Sequence, residues 1–160
     1  MIPSFLRYND WADGHLISAA EELNSDHLDR PFDIGRGSLR RTLYHVVCAE
    51  HVWIHRWQGL AETPWPDEDE KIPPADMRPK LAETWRKRDE FLRTLAPADH
   101  DRVVRYRDSF GKLFDAKLGD MILQTCIHST HHRAQVVNMF RRLGAKPPEL
   151  DYMYWVRTPA

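Results

Sequence analysis

Apolar residues recur along this chain at three- and four-residue spacing in four stretches, the mark of helices that bury one face. Phe5, Ala12, Leu16, Ala19 and Leu23 predict a first helix from about Ser4, its candidate N-cap, to Leu23. A Gly/Pro-containing segment, residues 30–37, leads to Ser38, a second candidate N-cap. Leu39, Leu43, Val46, Val47, Trp53, Ile54 and Trp57 then predict a second helix ending near Trp57. From Gln58 to Lys80 the periodicity disappears, and Pro64, Pro66, Pro73, Pro74 and Pro79 mark a connection long enough to cross a bundle. Pro79 suits the first turn of a third helix, with Leu81, Trp85, the Arg88 stem and Leu92 along one side, ending near Leu95 before Pro97. Residues 103–106 and 112–114 flank Asp108-Ser-Phe-Gly111 and predict a short β-hairpin. A long last helix runs from about Gly119 to Leu143, stopped by Gly144 and by Pro147-Pro148. The expected fold is all-α: a four-helix bundle with one long crossover loop and a short β-hairpin before the last helix, residues 1–160 forming a single domain.

Composition narrows the function classes. At 160 residues with 42% apolar side chains, the chain suffices for one core and is too short for two. Lys and Arg number 23 against 24 Asp and Glu, so no excess positive field draws in a phosphate backbone, and no nucleic acid is expected as partner. The longest run of like charge is Asp67-Glu68-Asp69-Glu70. No stretch has the apolar length needed to span a bilayer, and Met1-Ile2-Pro3-Ser4 lacks the basic start of a signal peptide. Cys48 and Cys126 stand far apart with no Cys-x-x-Cys spacing, which fits a reducing compartment. A cytoplasmic protein without a membrane partner is the expectation.

The oddity is histidine: nine in all, with three between residues 45 and 55 and three between 128 and 132. On the last helix, Leu118, Ile122, Thr125, Val136, Phe140 and Leu143 form the apolar stripe, and His128 and His132 flank it one turn apart. Imidazoles four residues apart stack on one helix face and can converge on one ion. The plainer alternative is a pair packed at a helix interface. His131 points to the polar side. On the second helix, His51 and His55 lie opposite the apolar stripe, where solvent is expected. Glu50 falls inside that stripe, either orienting an imidazole or forming a structural ion pair. His45 lies off the main stripe beside Ala49 and Val52, and periodicity alone does not select it. Cys48, Cys126 and His15 read more readily as packing residues than as ligands.

Several motifs taken together resemble the DinB/YfiT-like helical bundles, which are unrelated to the translesion polymerase of similar name. These are Tyr8-Asn-Asp-Trp-Ala12, Gly37-Ser-Leu-Arg-Arg-Thr-Leu-Tyr-His45 leading to Glu50 and Trp53, Tyr106-Arg-Asp-Ser, and His128-Ser-Thr-His-His-Arg-Ala-Gln135. Their order and spacing carry the resemblance through nearly the whole chain. It implies that His45, His128 and His132 bind a metal. Ala134 stands where that family usually has glycine, which leaves the ligand spacing intact.

Three imidazoles leave a zinc-like ion at least one open position, where a water can be acidified or a substrate thiolate or carbonyl held. Zinc, nickel, copper or iron all suit nitrogen ligands. Proteins of this resemblance include thiol-dependent S-transferases and a maleylpyruvate isomerase, which use bacillithiol, mycothiol or glutathione. The chain has no Gly-x-Ser-x-Gly and no Cys/His pair to serve as its own nucleophile. A metal-dependent S-transferase acting on a small molecule, with a low-molecular-weight thiol as co-substrate, is the implied function. The alternatives are a metal-dependent hydrolase and a stress-associated metal-binding bundle without turnover. No catalytic residue beyond the metal ligands is assigned. Tyr152-Met-Tyr-Trp155 and the loop around Trp65 offer apolar surface, and such relatives often pair, so a homodimer is expected.

Overall fold

The computed structural model describes residues 2–68 and 70–159. Four long helices dominate: α1 (Ile2–Glu21), α3 (Leu39–Trp57), α4 (Pro74–Leu92) and α5 (Leu118–Arg142). Short helices α2 (Ser25–Asp29) and α6 (Tyr152–Val156) lie after α1 and at the C-terminal end, and neither was evident from periodicity. β1 (Val103–Arg107) pairs antiparallel with β2 (Leu113–Lys117), Tyr106 opposite Phe114, so the expected hairpin exists. Asp108 closes its turn by accepting from the Phe110 and Lys112 amides at 2.9 Å each.

Helix ends follow local chemistry, with two departures from expectation. Ser4 is not an N-cap, because α1 already runs from Ile2, and it ends at Glu21 before Leu23. The third long helix begins at Pro74 instead of Pro79. Pro73 is extended and Pro74 occupies the first helical position, where a missing N–H costs nothing. Pro79 sits in the second turn and gives up one backbone bond there. The crossing connection is correspondingly shorter, ending at Pro73. Ser38 caps α3 as expected, its hydroxyl accepting from the Arg41 amide at 3.2 Å.

α3 packs against both α5 and α4, and α1 packs against α4 and α5. The apolar core falls into two clusters. One holds Leu16, Ile17, Leu39, Leu43, Met77, Leu81, Met139 and Phe140; the other holds Leu6, Ile54, Trp57, Leu118, Met121 and Ile122, with Val104 of the hairpin. Between the two clusters each long helix also contributes buried polar side chains, among them Asn9 and Asp13, Glu50, Arg88, and Ser129 and Arg133, so a hydrogen-bonded layer crosses the middle of the bundle. Asn9 Nδ2 donates to Asp13 at 3.2 Å and to Glu50 at 2.5 Å, and Trp85 Nε1 donates to Glu50 at 2.8 Å. Arg133 donates to Asn9 and, at 3.1 Å, to Asp13. Arg88 grips Asp10 with two bonds of 2.5 and 2.7 Å. Burial, with the charges of Asp13 and Asp10, pushes Glu50 up to about 8. The oxygens of Glu50 are thus taken by Asn9 and Trp85, not by an imidazole. No helix among the described residues is long and apolar enough to cross a membrane.

Candidate metal centre

α3 and α5 lie side by side, and their facing sides bring His45, His128 and His132 together. One ring nitrogen from each lies within 4.8 Å of the others, and ring centroids are 4.5 to 5.0 Å apart. His45 Nε2 and His128 Nε2 are 3.2 Å apart. His45 and His132 are almost wholly buried, His128 partly so.

The outer nitrogens decide which atoms face inward. His45 Nδ1 stands 2.5 Å from Glu68 Oε1. An ionised carboxylate only accepts, so Nδ1 donates and Nε2 keeps its lone pair. His132 Nδ1 is 2.8 Å from Gln135 Oε1, while the same amide's Nε2 reaches His131 Nε2 at 2.9 Å. The amide therefore accepts from His132, and His132 Nε2 is also free to coordinate. His128 Nδ1 is buried without a hydrogen-bond partner.

Glu68 is the site residue that sequence reasoning missed. It arrives on the crossing connection, buried, and accepts from Trp65 Nε1 at 2.6 Å and from Arg36 Nε at 3.1 Å. Burial raises its pKa, but the hydrogen bond and charge of His45, then Trp65 and Arg36, outweigh this and hold it below the usual carboxylate range. Burial and the neighbouring rings push His128 down to about 3. Burial chiefly pushes His132 down to about 4, against the bond it donates to Gln135. Both rings are therefore neutral near pH 7, the form that binds metal.

The donor set fits a divalent ion. Nitrogen ligands at about 2.0 to 2.1 Å in tetrahedral array stand roughly 3.3 Å apart, close to the separation of the His45 and His128 Nε2 atoms. Two lone pairs facing each other at that distance repel unless a cation or a proton lies between them. Beside the triad opens a cavity of about 490 Å³ walled by Trp53, Trp65 and Tyr106, with Arg36 and Arg56 on its lining.

Other candidates fall outside the triad. His51 and His55 are half-buried, not solvent-facing as expected; residues of α4 and Pro66 of the crossing connection share a cavity with His51. Their rings pack 4.3 Å apart. His15 is exposed and rests on Trp11. Cys48 and Cys126 are buried, and burial pushes each thiol up to about 12. Neither cysteine is a ready nucleophile. Ala134 is exposed, so its methyl group disturbs no packing. Trp65, expected to add outer apolar surface, is turned inward, its ring 5.5 Å from that of His45.

Known structures share this architecture. YfiT from Bacillus subtilis, described as a probable metal-dependent hydrolase with an unusual four-helix bundle topology, superposes with a TM-score of 0.69 at 19% identity, over 91% of this chain and 89% of that one. A DinB-like protein from Bacillus cereus gives 0.66 at 16% identity, covering 91% and 94%. YjoA, a DinB-like protein from Bacillus subtilis, gives 0.61 at 14% identity, covering 94% and 96%. No curated protein matches the chain. The four-helix bundle is thus common to all of them, and since the DinB family model matches residues 2–158, the chain belongs to the DinB family.

Proposed function

We propose that this chain holds one divalent metal ion on His45, His128 and His132 and is an enzyme in which a low-molecular-weight thiol attacks a small electrophilic substrate. The observation that carries this reading is the convergence of three imidazoles beside an open cavity, with neither cysteine available as a nucleophile. Bound there, the ion supplies Lewis acidity that lowers the pKa of a thiol or water reaching it. Zinc, nickel or iron suits the nitrogen donors, and availability selects among them.

The chain's own residues do the rest. Glu68 holds His45 in the tautomer that presents Nε2, and Gln135 does the same for His132. Trp53, Trp65 and Tyr106 give the space beside the triad aromatic walls against which a substrate can lie. In the transfer itself the thiol gives up its proton, sulfur bonds to the electrophilic carbon, and the leaving group departs with the electron pair of the broken bond.

Likeness to YfiT favours a second reading, in which water replaces the thiol and the reaction is hydrolysis. Cobalt-loaded protein separates the two. Adding bacillithiol, mycothiol and glutathione in turn should give a sulfur-to-metal charge-transfer band with the cognate thiol, absent in His45→Ala. Cleavage of esters or amides without any thiol, and no such band, selects hydrolysis. If neither the band nor cleavage is seen, the reading left is a bundle that binds metal without turnover.

A further inference from the structure

Arg56 lines the cavity beside the triad. It is only 7% exposed, yet no carboxylate among the described residues forms an ion pair with it. Its guanidinium lies instead over two aromatic rings, 4.8 Å from the centroid of Trp53 and 5.4 Å from that of Tyr106. The other arginines nearby are spoken for: Arg36 pairs with Glu68 at 3.0 Å and Arg107 with Glu62 at 2.6 Å. Asp108 also faces this cavity, but its Oδ1 is held by the two amides of its own turn. Burial pulls the Arg56 pKa down, against the opposing charges of Tyr106 and Asp108, as expected for a cation that lacks a close counter-ion.

Burying a guanidinium costs free energy that an anion can recover. The two rings, whose own centroids are 5.6 Å apart, lie to one side of the guanidinium and offer it no strong acceptor, which leaves its N–H groups for a planar, bidentate one. A single uncommitted positive charge suits a carboxylate better than a phosphate dianion. The geometry points to Arg56 as the docking group for the carboxylate of a small substrate or thiol co-substrate, whose apolar or planar part lies against Trp53, Trp65 and Tyr106. As a statement about the substrate this rests on the metal reading above; as a binding site it does not. His45 and Arg56 are separated on α3 by about three turns, roughly 16 Å along the axis. The Arg56 side chain leans back over Trp53, one turn nearer the triad, and both ends line the same cavity, so one small molecule can meet both.

The test uses 4-phenylbutyrate and its uncharged amide, titrated into metal-stripped and zinc-loaded protein and followed by tryptophan fluorescence and calorimetry. The acid should bind the wild-type chain at least about tenfold more tightly than the amide in both forms. Arg56→Gln should erase that preference while leaving amide binding within about twofold, and Arg56→Lys should restore part of it. The acid-to-amide ratio in the wild type needs no variant, so a misfolded Arg56→Gln does not spare the inference. Equal affinity for acid and amide, or no binding of either at millimolar concentration, overturns it. So does inorganic phosphate displacing the acid at lower concentration than acetate does. A chain that takes up no metal but still prefers the acid keeps the docking site and loses the metal reading; one metal per chain with no preference does the reverse.

Discussion

Glu68 on the crossing connection and His45 on α3 meet at 2.5 Å, carboxylate to Nδ1, and this contact turns the His45 lone pair toward His128 and His132. The long connection between α3 and α4 thereby supplies part of the site as well as spanning the bundle. Groups that orient a metal-binding imidazole typically contribute about ten- to a hundredfold in affinity. Glu68→Gln, which can still accept from Nδ1 but loses its charge, should weaken zinc binding about tenfold, and Glu68→Ala by up to about a hundredfold. Competition against a chelator of known affinity measures this. Unchanged affinity in Glu68→Ala would separate the carboxylate from the metal site.

A second prediction concerns the polar layer at mid-bundle. The folded pKa of Glu50 is pushed up to about 8 from an ordinary 4.5. Below about 4.5 the residue is protonated whether the chain is folded or not, and its effect on stability is constant. Between 4.5 and 8 the unfolded chain releases the proton while the folded chain keeps it, so stability falls as pH rises through that window. Glu50→Gln should flatten this slope, even if losing one acceptor for Asn9 or Trp85 costs about 1 to 2 kcal/mol at every pH. Urea unfolding at several pH values reads the slope directly. The same slope in variant and wild type would place the titration elsewhere.

His51 and His55 are predicted to be dispensable for metal binding. They pack on each other, and His51 lines a separate cavity with Cys48 and Lys80, on the side of α3 that faces α4. Replacing both with glutamine should leave zinc affinity within about threefold, since substitutions away from a site rarely shift energies by more than roughly half a kcal/mol. A loss beyond tenfold would mean that these rings reach the ion.

Assembly is a further expectation. Leu123 and Ile127 stand one turn apart on α5, 43% and 53% exposed, and Met153 of α6 is 57% exposed. Apolar residues so placed favour a self-pairing surface. Sedimentation at micromolar concentration should show a dimer, with Ile127→Lys shifting it toward monomer. A wild-type monomer throughout that range contradicts the expectation.

What could be read without coordinates follows from which interactions are local. The α3 and α5 helices announce themselves through apolar spacing, and the Ser38 cap through its hydroxyl before Leu39. The four-residue spacing of His128 and His132 places both on one face, whereas His45 lies off the α3 stripe and stood out only through resemblance to a family. The start of α4 was missed because Pro79 masks the better first-turn proline, Pro74. Glu68 was invisible because an aperiodic connection carries no face, and its partners Arg36 and His45 are distant in sequence. Glu50 showed that it needed a buried partner, but Asn9 and Trp85 come from two other helices and only packing brings them near.

The central claim, that His45, His128 and His132 hold one metal ion, is tested most directly by elemental analysis of protein purified without chelator from metal-supplemented cells. The wild-type chain should carry close to one divalent ion, and His128→Ala or His132→Ala should lose most of it while remaining helical by circular dichroism. Full metal content in both variants, or a wild-type chain that takes up none, would contradict the account.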